Sequence, residues 1–272
     1  MKSLEGKSAI VVGGGRGIGA ATARLLASEG ASVTIADLHA DLAEGTAQAI
    51  CSDHGCAIHV PVDVGEEGQV AAMVEKVHRT FGKIDVLLNN AAPTHLLPED
   101  GAVTEIDASV WDAIFAGIAR GTFLTCKHVI PHMQQSGGGS IINTSSMAGQ
   151  RGTWICHAYG SAKAAIDNLT RCIAARYGVD RIRCNAIAPG LITHVGAGEQ
   201  PDLDPEFRRQ WLNAMLVPRI GVDFDIARMV LFLAQDAADY VTGQIIAVDG
   251  GALAWAPWGR IADGGIPKGA TG

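Results

Sequence analysis

A doubly wound α/β fold in a single domain is predicted for this chain by three observations. Short β-branched runs alternate with longer alanine-rich segments of helical period, the strand-like runs are apolar on both faces, and the glycine clusters fall at turns between elements. A strand with no polar face must be covered twice. Helices are therefore expected on each side of a parallel sheet of about seven strands.

Taken in order, KSAIVV (7–12) is the first strand and GAATARLLASEG (19–30) the first helix, closed by Gly30. SVTIAD (32–37) is a strand and DLAEGTAQAI (41–50) a helix. AIHVPVDV (57–64) and IDVLLNNAA (84–92) are strands separated by the helix EEGQVAAMVEKVHRTFG (66–82). Helical residues then run from about Asp107 to Met133. GSIINTSS (139–146) returns to strand, AYGSAK (158–163) sits in a helix, and IRCNAIAP (182–189) is again a strand. DFDIARMVLFLAQ (223–235) and QIIAV (244–248) supply the last helix and strand. This alternation is the signature of βαβ units and a parallel sheet. Between Thr193 and Pro218, glycines, prolines and acids break the rhythm, and a stretch of that length without a clear element is expected to form a substrate lid. The domain is thus assigned to residues 1–251. Residues 252–272 remain as a tail, whose tryptophans Trp255 and Trp258 suit packing on another subunit.

Composition removes several classes of function. With 48% hydrophobic and 18% charged residues, the 272-residue chain can bury a large core. A net charge of -7 with no lysine or arginine run gives no footprint for nucleic acid or an anionic membrane. No apolar run reaches spanning length and the N-terminal one is too short for a signal peptide, so a cytoplasmic protein is expected. The six cysteines lack a CxxC pair and read as free thiols. His128 and His132 have a metal-like spacing, but Pro131 intervenes and no third ligand is evident, so no metal is expected.

The chemistry-bearing residues cluster after the predicted strands. VVGGGRGIGAA puts Gly13, Gly15, Arg16, Gly17, Ile18 and Gly19 between the first strand and the first helix, where a tight turn lets backbone approach a pyrophosphate. Asp37 ends the second strand 18 residues after Gly19, close to where an acid binds the adenosine ribose hydroxyls. A carboxylate there repels a 2′-phosphate, and Leu38 follows it. The expected cofactor is NAD in preference to NADP, with Arg16 the one residue that opposes the preference.

Tyr159 and Lys163 stand four residues apart on one helical face, Cβ atoms about 5–6 Å apart. Ser146, 13 residues before Tyr159, closes its strand at the edge where α/β sheets bind ligands. A unit charge about 4 Å from a phenol contributes roughly 4 kcal/mol at an effective dielectric of about 20, around three pKa units. Lys163 is therefore expected to make Tyr159 a usable base near neutral pH.

With these residues in place, the chain resembles the short-chain dehydrogenase/reductase family through about Gly251. The matching motifs are GxxxGxG from Gly13 to Gly19, NNA from Asn89 to Ala91, Ser146, and YxxxK at Tyr159 and Lys163. DV at Asp63 and Val64, PG at Pro189 and Gly190, and VDGG at Val248 to Gly251 match as well. The resemblance implies a Rossmann fold and hydride exchange between an alcohol or ketone and a nicotinamide. It implies that Tyr159 exchanges the alcohol proton, that Ser146 hydrogen-bonds the substrate oxygen, and that Lys163 also binds the nicotinamide ribose. Contacts to the cofactor are implied for Gly13, Gly15, Arg16, Gly17, Ile18, Gly19, Asp37, Leu38, Asp63, Val64, Asn90, Ala91, Tyr159, Lys163, Pro189, Gly190 and Ile192. A homo-oligomer, most commonly a tetramer, is implied too.

Three positions depart from the family pattern: Val12 for threonine, Ala92 for glycine, and Ile118 for the asparagine that helps position a water in a proton relay. His95, Leu96, Met147, Trp154, His157, Leu191 and His194 are expected around the substrate. An apolar pocket with a few polar groups suits a hydrophobic or cyclic secondary alcohol or ketone. A cis-diol dehydrogenase, and a cofactor-binding regulator with catalysis impaired at Ile118, are the alternative readings.

Overall fold

The computed structural model describes residues 2–194 and 203–255. In chain order the elements are β1 (Ser8–Val12), α1 (Gly17–Ser28), β2 (Ser32–Asp37), α2 (Ala40–Ser52), β3 (Cys56–Pro61), α3 (Glu67–Phe81) and β4 (Val86–Asn89). They continue as α4 (Ala108–Phe115), α5 (Gly121–Ser136), β5 (Gly139–Thr144), α6 (His157–Tyr177), β6 (Ile182–Pro189) and β7 (Ile192–Thr193). The last are α7 (Pro205–Ala214), β8 (Gly221–Val222), α8 (Asp223–Ala234) and β9 (Ile245–Val248). Seven strands form one parallel sheet in the order β3-β2-β1-β4-β5-β6-β9, while β7 and β8 make a separate two-stranded ladder.

The two-sided burial expected of the strands is what the pleat produces. Ile10, Leu87 and Ile141 point into a core with α3, α5 and α6, including Val74, Val129 and Ile173. Their neighbours Val11, Leu88 and Ile142 point into a second core with α1, α2 and α8, including Leu26, Ile50 and Val230. Because successive side chains face opposite ways, the central strands β1, β4 and β5 are buried on both faces, whereas the edge strand β3 is largely half-exposed. A third, smaller cluster joins α4 to α6 through Ile114, Ala158, Ala162 and Ile166.

Three expectations change. The strands of AIHVPVDV, IDVLLNNAA and GSIINTSS end at Pro61, Asn89 and Thr144, so their last residues are loops at the carboxyl edge of the sheet. The helix expected from Asp107 to Met133 is divided by a wider π turn at Ala116–Arg120, where Gly121 N–H bonds the Ala116 carbonyl five residues back. The segment 193–218 is not without structure. It contains α7, started by Asp204, whose carboxylate accepts Phe207 N–H at 2.9 Å, with Pro205 in the first turn. Asp-Pro-Glu at 204–206 is a helix start that the surrounding glycines and prolines masked.

Residues 195–202 of the expected lid and 256–272 of the expected tail lie outside the described residues. The beginning of the tail packs on its own chain: Ala252 is buried with Met147 and Met215, and Trp255 Nε1 donates to the Ala214 carbonyl at 2.9 Å. Among the described residues no helix is long and apolar enough to cross a membrane.

Candidate active site

Strand order reverses between β1 and β4: the chain leaves β1 toward β2 on one side and β4 toward β5 on the other. A crevice opens at the carboxyl ends of the strands at such a point. Here it is a cleft of about 680 Å³. Residues picked from the sequence line most of it: Gly13, Arg16, Gly17, Ile18, Asp37, Leu38, Asp63, Val64, Asn90, Ala91, His95, Ser146, Tyr159, Lys163, Pro189, Gly190, Leu191, Ile192 and His194.

The glycine turn is set by close backbone approach. A Cβ at Gly19 would overlap the Gly13 carbonyl oxygen, and Gly17 has φ +55°, where side chains are strained. Gly15 and Gly19 shape this turn and do not line the cleft. No side chain caps α1, in contrast to α4, which Asp107 caps through Ser109 N–H. The first-turn N–H groups and the positive end of the helix dipole are thus left for an anion.

Asp37 is fixed beside the turn, Oδ2 accepting Gly15 N–H at 2.9 Å and Oδ1 accepting His39 N–H at 3.0 Å. Asn90 Nδ2 donates to the Gly13 carbonyl at 3.2 Å and ties the turn to β4. Beneath it, Asn89 Nδ2 donates to Asn143 Oδ1 at 2.9 Å, Thr125 Oγ1 donates to Asn89 Oδ1 at 2.6 Å, and Asn143 Nδ2 donates to Thr170 Oγ1 at 2.9 Å. Every member is buried and paired, so the network locks β4, β5, α5 and α6 in register below the cleft.

Tyr159 sits in the first turn of α6, and the start of that helix is unusual. Cys156 precedes it at φ +63° and offers no side-chain cap. The missing acceptor comes from Asp100, which is 1% exposed. Its Oδ1 accepts Ala158 N–H at 2.9 Å, its Oδ2 accepts Tyr159 N–H at 2.8 Å, and its carbonyl accepts Cys156 N–H at 2.8 Å. Sequence reasoning did not find Asp100, because it lies 58 residues from the helix it caps. The signal that could have found it is a helix start at Cys156 without the usual Ser, Thr, Asp or Asn.

Ser146 follows β5, its Oγ accepting Ala148 N–H at 3.1 Å. Lys163, 2% exposed, donates from Nζ to the Thr144 carbonyl at 2.5 Å and lies 5.5 Å from the Tyr159 ring centroid. Burial pulls the Lys163 ammonium down to about 8, against the opposing pull of Asp167 four residues on. The same burial pushes the Tyr159 phenol above its ordinary value; the Ser146 hydroxyl pulls it down, and Cys156 pushes it further up. The expected lowering of Tyr159 by Lys163 is therefore not found in this structure. A buried cation is itself destabilised, this one is engaged with the Thr144 carbonyl, and desolvation of the phenolate outweighs it.

On the substrate side His95, Leu96 and Leu191 line the cleft, joined by Leu97, Thr94 and Arg120, which the sequence did not single out. Met147 is buried behind Leu191 with Met215 and Trp211. Trp154 is 92% exposed, and His157 Nε2 lies 3.2 Å from the Thr153 carbonyl, so these three expected substrate residues do not line the cleft. His194 does line it, but on the side of the glycine turn. Ile118 is fully buried against Ile114, Ala158, Ala162 and Ile166, so its side chain supports α6. His128 and His132 face Glu67 and Glu75 at 3.2 and 3.3 Å, and among the described residues no group of three metal-type side chains assembles. All six cysteines are free, and burial pushes the Cys126 thiol up to about 12.

Comparison with known proteins is consistent across sequence and structure. Residues 12–252 match a family model described as Enoyl-(Acyl carrier protein) reductase. The chain is 40% identical over 270 residues to a probable short-chain type dehydrogenase/reductase of Bradyrhizobium diazoefficiens, covering 99% of this chain and 95% of that protein. It is 40% identical over 251 residues to 7alpha-hydroxysteroid dehydrogenase of Clostridium sardiniense, covering 92% and 95%. A solved 7 alpha-hydroxysteroid dehydrogenase, complexed with NADH and 7-oxo glycochenodeoxycholic acid, matches with a TM-score of 0.84 at 33% identity, over 91% of this chain and 94% of that one.

Proposed function

This chain belongs to the short-chain dehydrogenase/reductase family, a class of oxidoreductases acting on CH–OH groups, and from that premise we propose that it interconverts a secondary alcohol and its ketone with NAD as hydride carrier. The observation that carries the reading is the meeting of Ser146, Tyr159 and Lys163 in one cleft with an uncapped glycine turn and Asp37. The residues present fit a dinucleotide. The Gly13 to Gly19 turn would hold the pyrophosphate, Asp37 the adenosine ribose and Lys163 the nicotinamide ribose. Leu38, Asp63, Val64, Asn90, Ala91, Pro189, Gly190 and Ile192 line the rest of the path. The Asp37 carboxylate supports NAD over NADP, and the relative complexed with NADH supports a nicotinamide.

When bound, the nicotinamide supplies the carbon that exchanges hydride and, in its oxidised form, a positive charge. Tyr159 gives a proton to the substrate oxygen in reduction and takes one in oxidation, and Ser146 donates a hydrogen bond to the same oxygen. Burial keeps the phenol protonated, which makes Tyr159 a ready acid for ketone reduction and makes alcohol oxidation rise with pH. Lys163, anchored on the Thr144 carbonyl, is positioned by that bond to hold the nicotinamide ribose beside Tyr159.

Leu96, Leu97 and Leu191, with Met147, Met215 and Trp211 behind, support a hydrophobic or cyclic substrate. Residues 193–218, including α7, are read as the lid over it. The remaining assignments are 1–251 as the dehydrogenase domain, the 252–272 tail and a homotetramer as its quaternary setting, and a cytoplasmic location. The family model's description, which names an enoyl reductase, favours a second reading, reduction of a C=C bond.

One panel separates these. Cyclic and linear secondary alcohols, cis-diols, ketones and an enoyl thioester are offered with NAD(H) and NADP(H), with nicotinamide absorbance as readout. Turnover of alcohols with NAD, lost in Tyr159→Phe, is expected. Turnover of the enoyl thioester alone would replace the reading, and dinucleotide binding with no turnover across the panel would make the chain a regulator.

A further inference from the structure

His194 was expected at the substrate, yet its ring covers the glycine turn: a Cβ placed on Gly17 would meet His194 Cε1 and Nδ1 at 2.7 Å each. Its position is set by the short β7–β8 ladder. Ile192 pairs with Gly221 and Thr193 with Val222, so the next residues on the two segments, His194 and Asp223, emerge side by side. His194 Nδ1 lies 2.8 Å from Asp223 Oδ1, the first residue of α8, whose side chain is 15% exposed. Nε2 has no hydrogen-bond partner among the described residues. Asp223 from α8 and Arg16 from the glycine turn are the charged groups that face the ring, the first favouring an imidazolium and the second opposing it.

We infer that His194 and Asp223 form a proton-dependent clasp on the phosphate-bearing part of the dinucleotide, an assignment that rests on a dinucleotide occupying this cleft. With Nδ1–H donated to the carboxylate, Nε2 carries only a lone pair when the ring is neutral and an N–H when it is protonated. One atom thus changes from repelling a phosphate oxygen to donating to it. The hydrogen bond to Asp223 raises His194 above its ordinary value, so the donor form persists to higher pH than in a free imidazole. As pH rises, that proton is lost and the grip on the pyrophosphate weakens. The side chain is 63% exposed, so solvent screens the contact, and the expected loss of affinity is about ten-fold.

The test is NADH affinity of the full chain by fluorescence from about pH 6 to 9, in the wild type, His194→Thr and Asp223→Asn. Melting curves establish that each variant is folded. NADH suits the test because its pyrophosphate does not titrate in this range. Relative to His194→Thr, the wild type is expected to lose about a further ten-fold of affinity in a one-proton step, which Asp223→Asn moves to lower pH. A contribution from Lys163, near pH 8, stays in all three proteins. The clasp is overturned if the wild type loses no more affinity than His194→Thr, or if Asp223→Asn leaves the midpoint of that step in place. No NADH binding at any pH would instead remove the dinucleotide reading and the clasp with it.

Discussion

Replacing Asp37 by alanine is expected to reverse the cofactor preference. The carboxylate is held at the end of β2 by Gly15 N–H at 2.9 Å and His39 N–H at 3.0 Å, and no salt bridge among the described residues neutralises it. Two hydroxyl donors on an open-sided carboxylate contribute about 2–3 kcal/mol together, so NAD affinity should fall roughly 30- to 150-fold. A 2′-phosphate of charge about -1.5 to -2, some 5 Å from the carboxylate at an effective dielectric of about 40, is repelled by roughly 2–3 kcal/mol. Removing that repulsion strengthens NADP binding. The ratio of the two affinities should therefore shift by about 10³- to 10⁴-fold, from roughly 4–6 kcal/mol in total. Freed Gly15 and His39 N–H groups burden both cofactors equally, so the ratio isolates what the carboxylate does to the ribose substituents. NADH and NADPH dissociation constants measured by fluorescence decide it. If both weaken by the same factor, Asp37 only shapes the turn and the argument for NAD is refuted.

Tyr159→Phe should lower kcat by about 10²- to 10⁴-fold with NADH affinity nearly unchanged, and full activity would remove the tyrosine from the reaction. Lys163 holds its proton to about pH 8 when folded, against 10.5 for the ordinary group, so the native state is penalised below that range and gains stability as pH climbs through it. Lys163→Met should therefore slow turnover yet raise stability near neutral pH by roughly 2 kcal/mol, after loss of the Thr144 bond. Melting temperatures should converge by about pH 10, and a gap independent of pH would contradict the shift. Asp100→Ala strands the Ala158 and Tyr159 N–H groups and should cost about 2–3 kcal/mol in urea denaturation, with Asp100→Asn recovering part; an unmoved midpoint would show the cap to be idle. Ile118→Asn places an amide among Ile114, Ala162 and Ile166 and should cost about 1–3 kcal/mol. Should the folded variant keep the same rate and pH profile, position 118 has no part in proton transfer.

The strands were legible because the sheet buries both faces: Ile10 and Val11 face different cores, so the run between Ser8 and Val12 had no polar position to hide it. Ser32–Asp37 and Ile182–Pro189 were read to the residue for the same reason. α7 was obscured because it carries no buried residue to impose a period, only the Asp204 and Pro205 start. In the candidate site, residues within one turn of a strand end were found, since chain neighbours stay spatial neighbours. Trp154 was misplaced because nothing local fixes which way the segment before α6 faces, and His157, the first residue of α6, because its ring turns back to the Thr153 carbonyl.

The sequence alone determined the alternation of elements, the glycine turn, and the one-face pairing of Tyr159 with Lys163, all of which follow from local sterics and periodicity. Tertiary structure alone decided which charges meet. Asp100 reaches α6 across 58 residues, His194 meets Asp223 across 29, and burial loosens the Lys163 proton while tightening that of Tyr159. Periodicity records which side of an element is apolar, whereas a pKa depends on the solvent and partners that remain after distant segments close over it.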